Sequence, residues 1–343
     1  MSGESSSAAE WFTRLEPAVR PDYQPRRPDD PRLGEVVEFW NGDSTALRPG
    51  RAVLIGFPQD EGVRRNGGRP GAAEAPREIR RFLYRLTPWE GICQANLAAD
   101  PALDAGNVRV DGTLEHSQEV LGKIVGGVLR AGAVPVVMGG GHETAFGHFL
   151  GYAKANLPVG IINIDAHLDL RPEIHGLGHS GSPFRQAMEH SPFRLLGSNY
   201  VCMGAQPHAV SQEHWRYAQR HKCGIYWAPA VWPKLEKCFN REVLRLHESG
   251  CQVYVSVDAD AVRIMDVPGV SAPNPVGLIG EDVISCARLA GRSPAVASID
   301  LVEINPRFDR DGQSARWAAL VIWHFLVGLA ERRAAGDNTS LKN

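Results

Sequence analysis

The sequence contains no CxxC pair, although it has six cysteines. Several of them fall within apolar segments that are predicted to be strands. This distribution predicts buried, reduced thiols and argues against a disulfide framework or a zinc cluster. The six are Cys93, Cys202, Cys223, Cys238, Cys251 and Cys286.

Long apolar runs and secretory features are also missing. The longest late apolar run, ALVIWHFLVGLA at 319–330, is too short to cross a membrane and is interrupted by His324. The first residues, MSGESSSAAEWF, lack the basic segment and apolar core of a secretory signal. Long blocks of like charge are absent as well, and the net charge is −2. We therefore expect a cytoplasmic protein that binds small molecules, with no nucleic-acid or membrane partner.

The chain does have enough apolar residues for a large core, with 43% hydrophobic residues among 343. Short β-rich runs alternate with helical stretches, which is typical of a parallel sheet covered by helices on both faces. We predict a single three-layer α/β/α domain with a mostly parallel sheet of about eight strands. The predicted strands are 51–57, 107–110, 133–139, 160–165, 200–204, 224–227, 252–258 and 295–301.

Three regions are predicted along the chain. Residues 1–47 are rich in Pro, Arg and Asp and form an extended N-terminal arm. Residues 48–335 form the α/β domain, and 336–343 form a C-terminal tail. Within the domain, the segments 114–132 and 234–250 have apolar residues at helical spacing and end in Gly.

Polar residues follow four of the predicted strands, at the edge where open α/β sheets bind ligands. Several carboxylates gathered there would be costly to bury unless cations neutralised them. The strand-end residues are His142, Asp165, His167, Asp169, Asp258, Asp260, Asp300 and Glu303.

Two histidines and four aspartates of this set form an oxygen-rich ligand group without thiolates. Such a group suits Mn²⁺, with Fe²⁺, Co²⁺ or Ni²⁺ as less specific alternatives. Six protein ligands exceed what one catalytic ion takes while leaving a position for water, so we predict two ions bridged by shared aspartates. Such ions make a nucleophile available at neutral pH.

Each motif has another interpretation when taken alone. The segment 165–169 could be a cluster of polar loop groups, and SVDAD at 256–260 could bind Mg²⁺ or hydrogen-bond to loops. GGGHE at 139–143 could hold a phosphate, but it lacks the Lys-Ser/Thr of a Walker loop. Their occurrence together, each at a strand end, favours the metal site.

In order along the chain, GGGHE, NIDAHLDLR (163–171), SVDAD and EINP (303–306) resemble the binuclear-manganese ureohydrolase superfamily of arginase, agmatinase and formimidoylglutamase. The resemblance covers nearly the whole chain from about residue 50. It implies an arginase-like fold, two Mn²⁺ per chain, a homo-oligomer and hydrolysis of a C–N bond in a linear amidine or guanidine. The implied roles are His142 and Asp169 on one ion, His167 and Asp260 on the other, Asp165 and Asp258 as bridges, and Glu303 on the amidine or guanidine group.

Three segments favour formimidoylglutamase, namely 60–80, HSGSPFRQ at 179–186 and DLRP at 169–172. The guanidinium of Arg171 could pair with a carboxylate, and N-formimidoyl-L-glutamate carries two. The implied reaction yields L-glutamate and formamide in histidine degradation. Further candidates for substrate binding, for which surface or oligomer contacts are an equal alternative, are Arg64, Arg65 and Arg69.

One position departs from the superfamily pattern. Arginase and agmatinase carry a His in an HG-x-P motif that is proposed to shuttle protons, whereas HSGSP places Ser180 there and displaces His179 by one. His179 is a candidate general acid if the loop is rearranged. The alternative is a helix-capping Ser180 with an outward-facing His179.

Two other functions stay open. A different guanidino-group hydrolase, acting on agmatine, a guanidino acid or guanidine, would keep the metal site and release urea. A non-catalytic, metal-binding member of the family is the other alternative, although such members typically lose ligands first.

Overall fold

The computed structural model describes residues 13–22 and 27–340. This part of the chain forms twelve strands. They are β1 (Leu15–Glu16), β2 (Glu38–Phe39), β3 (Ala52–Gly56), β4 (Trp89–Glu90), β5 (Ala95–Asn96), β6 (Leu103–Val108), β7 (Val134–Met138), β8 (Val159–Ile164), β9 (Tyr200–Ala205), β10 (Gly224–Trp227), β11 (Gln252–Asp258) and β12 (Val296–Val302).

Ten of the strands form one sheet in the order β1-β6-β3-β7-β12-β11-β8-β9-β10, and β2 pairs with β6 outside this path. All pairs in this sheet are parallel except β1 with β6. β4 and β5 form a separate antiparallel pair. The predicted α/β fold with a mostly parallel sheet is therefore confirmed.

The main sheet has ten strands rather than the predicted eight or so, because two of its short strands were not predicted. β1 and β2 have two residues each and pair with β6. Two residues are too few to show the alternation by which strands are recognised. Both strands come from the predicted arm. The division into arm, domain and tail at residues 47 and 335 stays a prediction. Residues 1–12 and 23–26 of the arm and 341–343 of the tail lie outside the described part of the chain.

All eight predicted strands are present, and β6 shows the largest difference in bounds. It begins at Leu103, whereas the prediction was 107–110. Asp104 interrupts the apolar run, yet it is buried within the strand. Arg80 donates to its carboxylate from Nε at 2.8 Å and from Nη2 at 3.0 Å, which compensates the cost of burying the charge.

Eleven α-helices surround the sheet in the described residues, and no helix among them is long and apolar enough to span a membrane. Both predicted helices are confirmed, as α4 and α9. The helices are α1 (Leu33–Val36), α2 (Glu61–Arg65), α3 (Ala75–Leu83), α4 (Leu114–Arg130), α5 (Thr144–Ala155), α6 (Pro183–Glu189), α7 (Gln212–Arg220), α8 (Ala228–Val231), α9 (Leu235–Glu248), α10 (Gly280–Arg292) and α11 (Gln313–Ser340).

The bounds of α4 follow from its flanking residues. Thr113 Oγ1 accepts a hydrogen bond from the backbone N–H of His116 at 3.2 Å and so caps the first turn. Gly132 follows the last turn with a φ of +71°, a left-handed conformation that glycine adopts without steric cost.

Apolar helix faces cover both sides of the sheet. Helices α4 to α7 contribute buried side chains such as Leu121 and Phe149 on one side. Helices α3, α9, α10 and α11 contribute side chains such as Phe239 and Phe325 on the other. Full burial of one such side chain contributes about 1.5–3 kcal/mol. The two layers hold the strand ends, and therefore the site, on a rigid frame.

Candidate metal centre and active site

Four neighbouring parallel strands, β7, β12, β11 and β8, end at the same edge of the sheet. A cavity of about 270 Å³ opens there. It is lined by Val63, Asn66, Gly67, Gly68, Arg69, His142, His167, Asp169, Arg171, Ser180, Gly181, Asp258, Asp260, Ser271, Ala272 and Glu303.

His142 follows three glycines that connect β7 to α5. A Cβ on Gly140 would lie 1.9 Å from the carbonyl oxygen of Gln59, so only glycine allows the segment after β3 to pass this close. The buried His142 donates its backbone N–H to Glu303 Oε1 at 2.9 Å. The glycines thus bring two loops together and set His142 beside Glu303.

A turn after β8 explains why Asp165, His167 and Asp169 alternate along the chain. Asp165 Oδ1 accepts the backbone N–H of His167 at 2.7 Å, and Oδ2 accepts from Asn163 Nδ2 at 2.9 Å. Asp169 has a φ of 48°, which is uncommon outside glycine. Because the backbone leaves the extended conformation, all three side chains reach one site.

The other two predicted aspartate ligands come from the end of β11. Asp258 is the last residue of that strand, and a 3-10 turn at Ala259–Ala261 follows. Asp258 Oδ1 accepts the backbone N–H of Asp260 at 2.8 Å. Both carboxylates are buried at the edge of the sheet.

The six predicted ligands form two groups that share Asp165. In the first, His142 Nδ1 lies 2.8 Å from Asp169 Oδ2 and 2.9 Å from Asp258 Oδ2. The same nitrogen lies 3.4 Å from Asp165 Oδ2.

In the second group, His167 Nδ1 lies 3.4 Å from Asp165 Oδ1 and 3.4 Å from Asp260 Oδ2. Asp165 therefore presents one oxygen to each group. This is the arrangement expected of a carboxylate that bridges two ions.

The donor atoms fit divalent cations. His142 Nδ1 is buried and has no hydrogen-bond partner among the described residues, and the same holds for Asp260 Oδ1. Ionised carboxylates are acceptors only, so without a cation or a proton between them these oxygens and the ring nitrogen would repel one another. A cation between them would be attracted by each atom. Imidazole nitrogen and carboxylate oxygen are also suitable ligands for Mn²⁺.

The electrostatics of the residues agree with this fit. Burial, then the charges of Asp260 and Asp165, raise the pKa of Asp258 well above its ordinary range. The charge of Asp260 raises the pKa of His167. Burial lowers the pKa of His142, but its carboxylate neighbours outweigh it and raise the pKa well above normal. Protons are therefore held where a cation would bind, and a cation must displace them.

Glu303 lies beside the ligand groups without belonging to either. It follows β12, is buried and has a φ of 64°. Burial, then the charge of Asp258, raises its pKa well above the usual range. Its side chain lines the cavity, where a carboxylate could accept hydrogen bonds from a cationic amidine.

Residues 50–328 match the family model described as the arginase family. The chain belongs to the arginase family.

Similarity to individual arginase-family proteins extends over most of the chain. The formimidoylglutamase of Klebsiella pneumoniae (strain 342) is 38% identical over 305 residues, which cover 88% of this chain and 93% of that protein. The formimidoylglutamase of Geobacillus thermodenitrificans (strain NG80-2) is 40% identical over 275 residues, covering 78% and 81%. The crystal structure of Trypanosoma cruzi formiminoglutamase with Mn²⁺₂ has a TM-score of 0.81 at 34% identity, covering 89% of this chain and 100% of that one.

In this arginase-family chain, His179 is held by the backbone. Its Nδ1 accepts the N–H of Gly181 at 3.1 Å, so Nε2 donates to the carbonyl oxygen of Pro172 at 3.0 Å. Burial lowers its pKa. Because both ring nitrogens are engaged and the ring does not line the cavity, this geometry supports a structural role.

Ser180 does line the cavity. Its Oγ accepts a hydrogen bond from Asn66 Nδ2 at 3.0 Å. Helix α6 begins at Pro183, so Ser180 is not its capping residue. The side chain therefore lies in the cavity wall beside Asn66.

Two of the four predicted substrate arginines line the cavity. Arg171 is exposed, donates from Nη1 to Asn66 Oδ1 at 3.1 Å and forms no ion pair within the described residues. Arg69 donates to the carbonyl oxygens of Ser271 at 2.9 Å and Val270 at 2.7 Å. Within the described residues, the guanidinium of Arg171 therefore has more N–H donors available for a substrate carboxylate than that of Arg69.

The other two arginines lie on α2, outside the cavity lining. Arg64 pairs with Glu61 at 2.5 Å. Arg65 pairs with Glu115 at 2.5 Å and donates to the carbonyl oxygen of Gly178 at 2.9 Å. The contacts of Arg65 tie α2 to neighbouring segments, whereas the pair of Arg64 with Glu61 lies within α2.

Two site residues were missed by the sequence analysis. Asn66 lies in the cavity wall between Arg171 and Ser180, but an Asn before two glycines predicts only a turn. Ser256 lies 3.1 Å from His142 Nε2. Its position two residues before Asp258 in a strand puts both on one face, which was the available signal.

Proposed function

We propose that this arginase-family protein hydrolyses N-formimidoyl-L-glutamate to L-glutamate and formamide. The observation that carries the proposal is one cavity lined by members of both ligand groups, by the carboxylate of Glu303 and by the guanidinium of Arg171, which forms no ion pair within the described residues. The similarity to formimidoylglutamases over most of the chain supports the choice of substrate.

The ligand groups would hold two divalent cations. His142 and Asp169 would hold one ion, and His167 and Asp260 the other. Asp165 and Asp258 are the proposed bridges; Asp165 belongs to both ligand groups, whereas Asp258 belongs to the first group only. Mn²⁺ is the proposed metal, with Ni²⁺, Co²⁺ or Fe²⁺ as alternatives. The proposal is supported by the donor atoms and by the Mn²⁺ of the similar Trypanosoma cruzi structure. When bound, such cations activate water for attack and help to stabilise the charge that develops in the transition state.

The remaining residues would orient the substrate. Glu303 faces the cavity beside the ligand groups, so it would accept hydrogen bonds from the cationic amidine. Arg171 would bind a substrate carboxylate, and its bond to Asn66 would hold the guanidinium over the cavity. The reacting carbon would then lie between the two anchors, near the ligand groups.

This reaction would place the protein in histidine degradation. A cytoplasmic location and a homo-oligomeric assembly are further parts of the proposal, supported by the resemblance to the superfamily.

The test is a substrate panel assayed with Mn²⁺-loaded protein. N-formimidoyl-L-glutamate, agmatine and guanidine are supplied separately, and formamide and urea are measured. Formamide from the first compound, at the highest kcat/KM, is the expected result. Urea from agmatine or guanidine at a higher kcat/KM would assign the protein to the guanidino-group hydrolases. Two bound ions without turnover of any compound would indicate a non-catalytic member.

A further inference from the structure

A buried carboxylate outside the cavity is connected to His142 through one hydroxyl. Ser256 Oγ donates to Asp300 Oδ1 at 2.6 Å and lies 3.1 Å from His142 Nε2. Ser256 and Asp300 are directly paired across β11 and β12. All three side chains are buried, so water does not compete for these bonds.

Asp300 is held as an acceptor by its surroundings. Its Oδ2 accepts from the hydroxyl of Tyr254 and lies 3.1 Å from His148 Nδ1. With Ser256, three donors converge on one carboxylate, which accepts at both oxygens when ionised. Its position is further fixed by His148, whose Nε2 contacts Ser298 Oγ at 2.8 Å.

The direction of these bonds determines where the proton of His142 lies. The single hydroxyl proton of Ser256 points to Asp300, so Ser256 can only accept at its contact with His142. Nε2 of His142 must then carry a hydrogen and donate it. In the neutral ring, this leaves Nδ1 with a free lone pair.

That lone pair faces the first ligand group, since Nδ1 is the atom that lies 2.8 Å from Asp169 and 2.9 Å from Asp258. We infer that Asp300, acting through Ser256, selects the tautomer of His142 that binds a cation. The inference rests on the proposed metal site. Asp300 and Ser256 are positioning residues, because neither lines the cavity.

The test compares Ser256→Ala, Asp300→Asn and the double variant in a double-mutant cycle. Mn²⁺ affinity and stoichiometry are measured by calorimetry on the full chain. Ser256→Ala should weaken one of the two ions about 10- to 100-fold, the range for partners of metal-bound histidines. Asp300→Asn should weaken the same ion by a smaller factor, because a neutral amide holds the hydroxyl proton less strongly. The double variant should match Ser256→Ala, since the carboxylate acts through the hydroxyl.

Tyr152→Phe is the matched control. Tyr152 is equally buried, and its hydroxyl bonds to Ser298 Oγ at 2.6 Å, without reaching Asp300 or His142. It should keep the Mn²⁺ affinity of the unmodified protein. The visible spectrum of Co²⁺-loaded protein provides a second readout, which should change in Ser256→Ala and stay constant in Tyr152→Phe.

The outcomes separate this inference from the proposed function. Two ions in the unmodified protein with unchanged affinity in Ser256→Ala would overturn the inference and leave the metal site standing. Additive losses in the cycle, or an equal loss in Tyr152→Phe, would show a general packing effect and also overturn it. An unmodified protein that binds no ion would overturn the proposed site and the inference together.

Discussion

Glu303→Gln is the substitution that separates substrate binding from metal binding most sharply. The amide oxygen of Gln can still accept the backbone N–H of His142, which lies 2.9 Å from Glu303 Oε1. The fold and the ligand groups should therefore be retained. What is lost is a negative charge facing a cationic amidine. Hydrogen bonds to charged groups contribute about 1.5–3 kcal/mol, so kcat/KM should fall about 10- to 150-fold.

The assay measures kcat/KM for N-formimidoyl-L-glutamate and the Mn²⁺ content of the same preparation. We expect the loss of kcat/KM with two ions retained. Loss of an ion would make Glu303 a ligand, and an unchanged kcat/KM would remove it from the substrate site. Glu303 lies outside both ligand groups, so its proposed role is to bind the amidine group of the substrate. Either result would refute that role.

The remaining predictions concern the metal, the substrate carboxylates and pH. Asp258→Asn should abolish activity and reduce bound Mn²⁺ below two ions per chain in metal analysis; full activity with two ions would exclude it from the site. Arg171→Ala should raise KM for N-formimidoyl-L-glutamate about 5- to 30-fold, or about 1–2 kcal/mol for an exposed charge, with a smaller change in kcat. Arg64→Ala, which removes an equal charge outside the cavity, should leave KM unchanged, and equal effects would contradict the assignment. Because the metal-free pKa values of His142 and Asp258 are raised, protons compete with the cation. Affinity for Mn²⁺ should fall as pH falls, and calorimetry in buffers of different protonation enthalpy should detect released protons; their absence would contradict the electrostatics.

Much of the fold could be predicted because its central strands are buried on both faces. Strands such as β8 and β11 are mostly apolar and almost fully buried, and the polar residues after their apolar stretches mark their ends. The same property locates the site, since polar residues such as Asp165 and Asp258 stand out where an apolar run stops. The ends of parallel strands meet at one edge, so their residues converge.

The rest depends on contacts between distant segments. β6 was predicted too short because the partner of Asp104 is Arg80, far away in the sequence. β1 and β2 exist through their pairing with β6, and two residues carry no pattern of their own. Tertiary contacts override local pattern in such places.

The residues that would bind the substrate were also hard to predict, because their roles depend on contacts between distant segments. Sequence spacing could not distinguish Arg171, which has no ion pair among the described residues, from Arg65, which is paired with Glu115. Nor could the sequence predict that backbone groups form hydrogen bonds with both ring nitrogens of His179. Asp300 was predicted among the strand-end residues, but it lies within β12, and the alternation of side chains directs it to Ser256 rather than to the cavity.

The most direct test of the central claim is a product balance for one substrate. N-formimidoyl-L-glutamate is incubated with Mn²⁺-loaded protein, and L-glutamate, formamide and urea are quantified with time, before and after removal of the metal by a chelator. We predict L-glutamate and formamide in equal amounts, no urea, and loss of turnover on chelation that added Mn²⁺ restores. No formation of L-glutamate from this substrate by protein that carries two Mn²⁺ ions would contradict the proposed function.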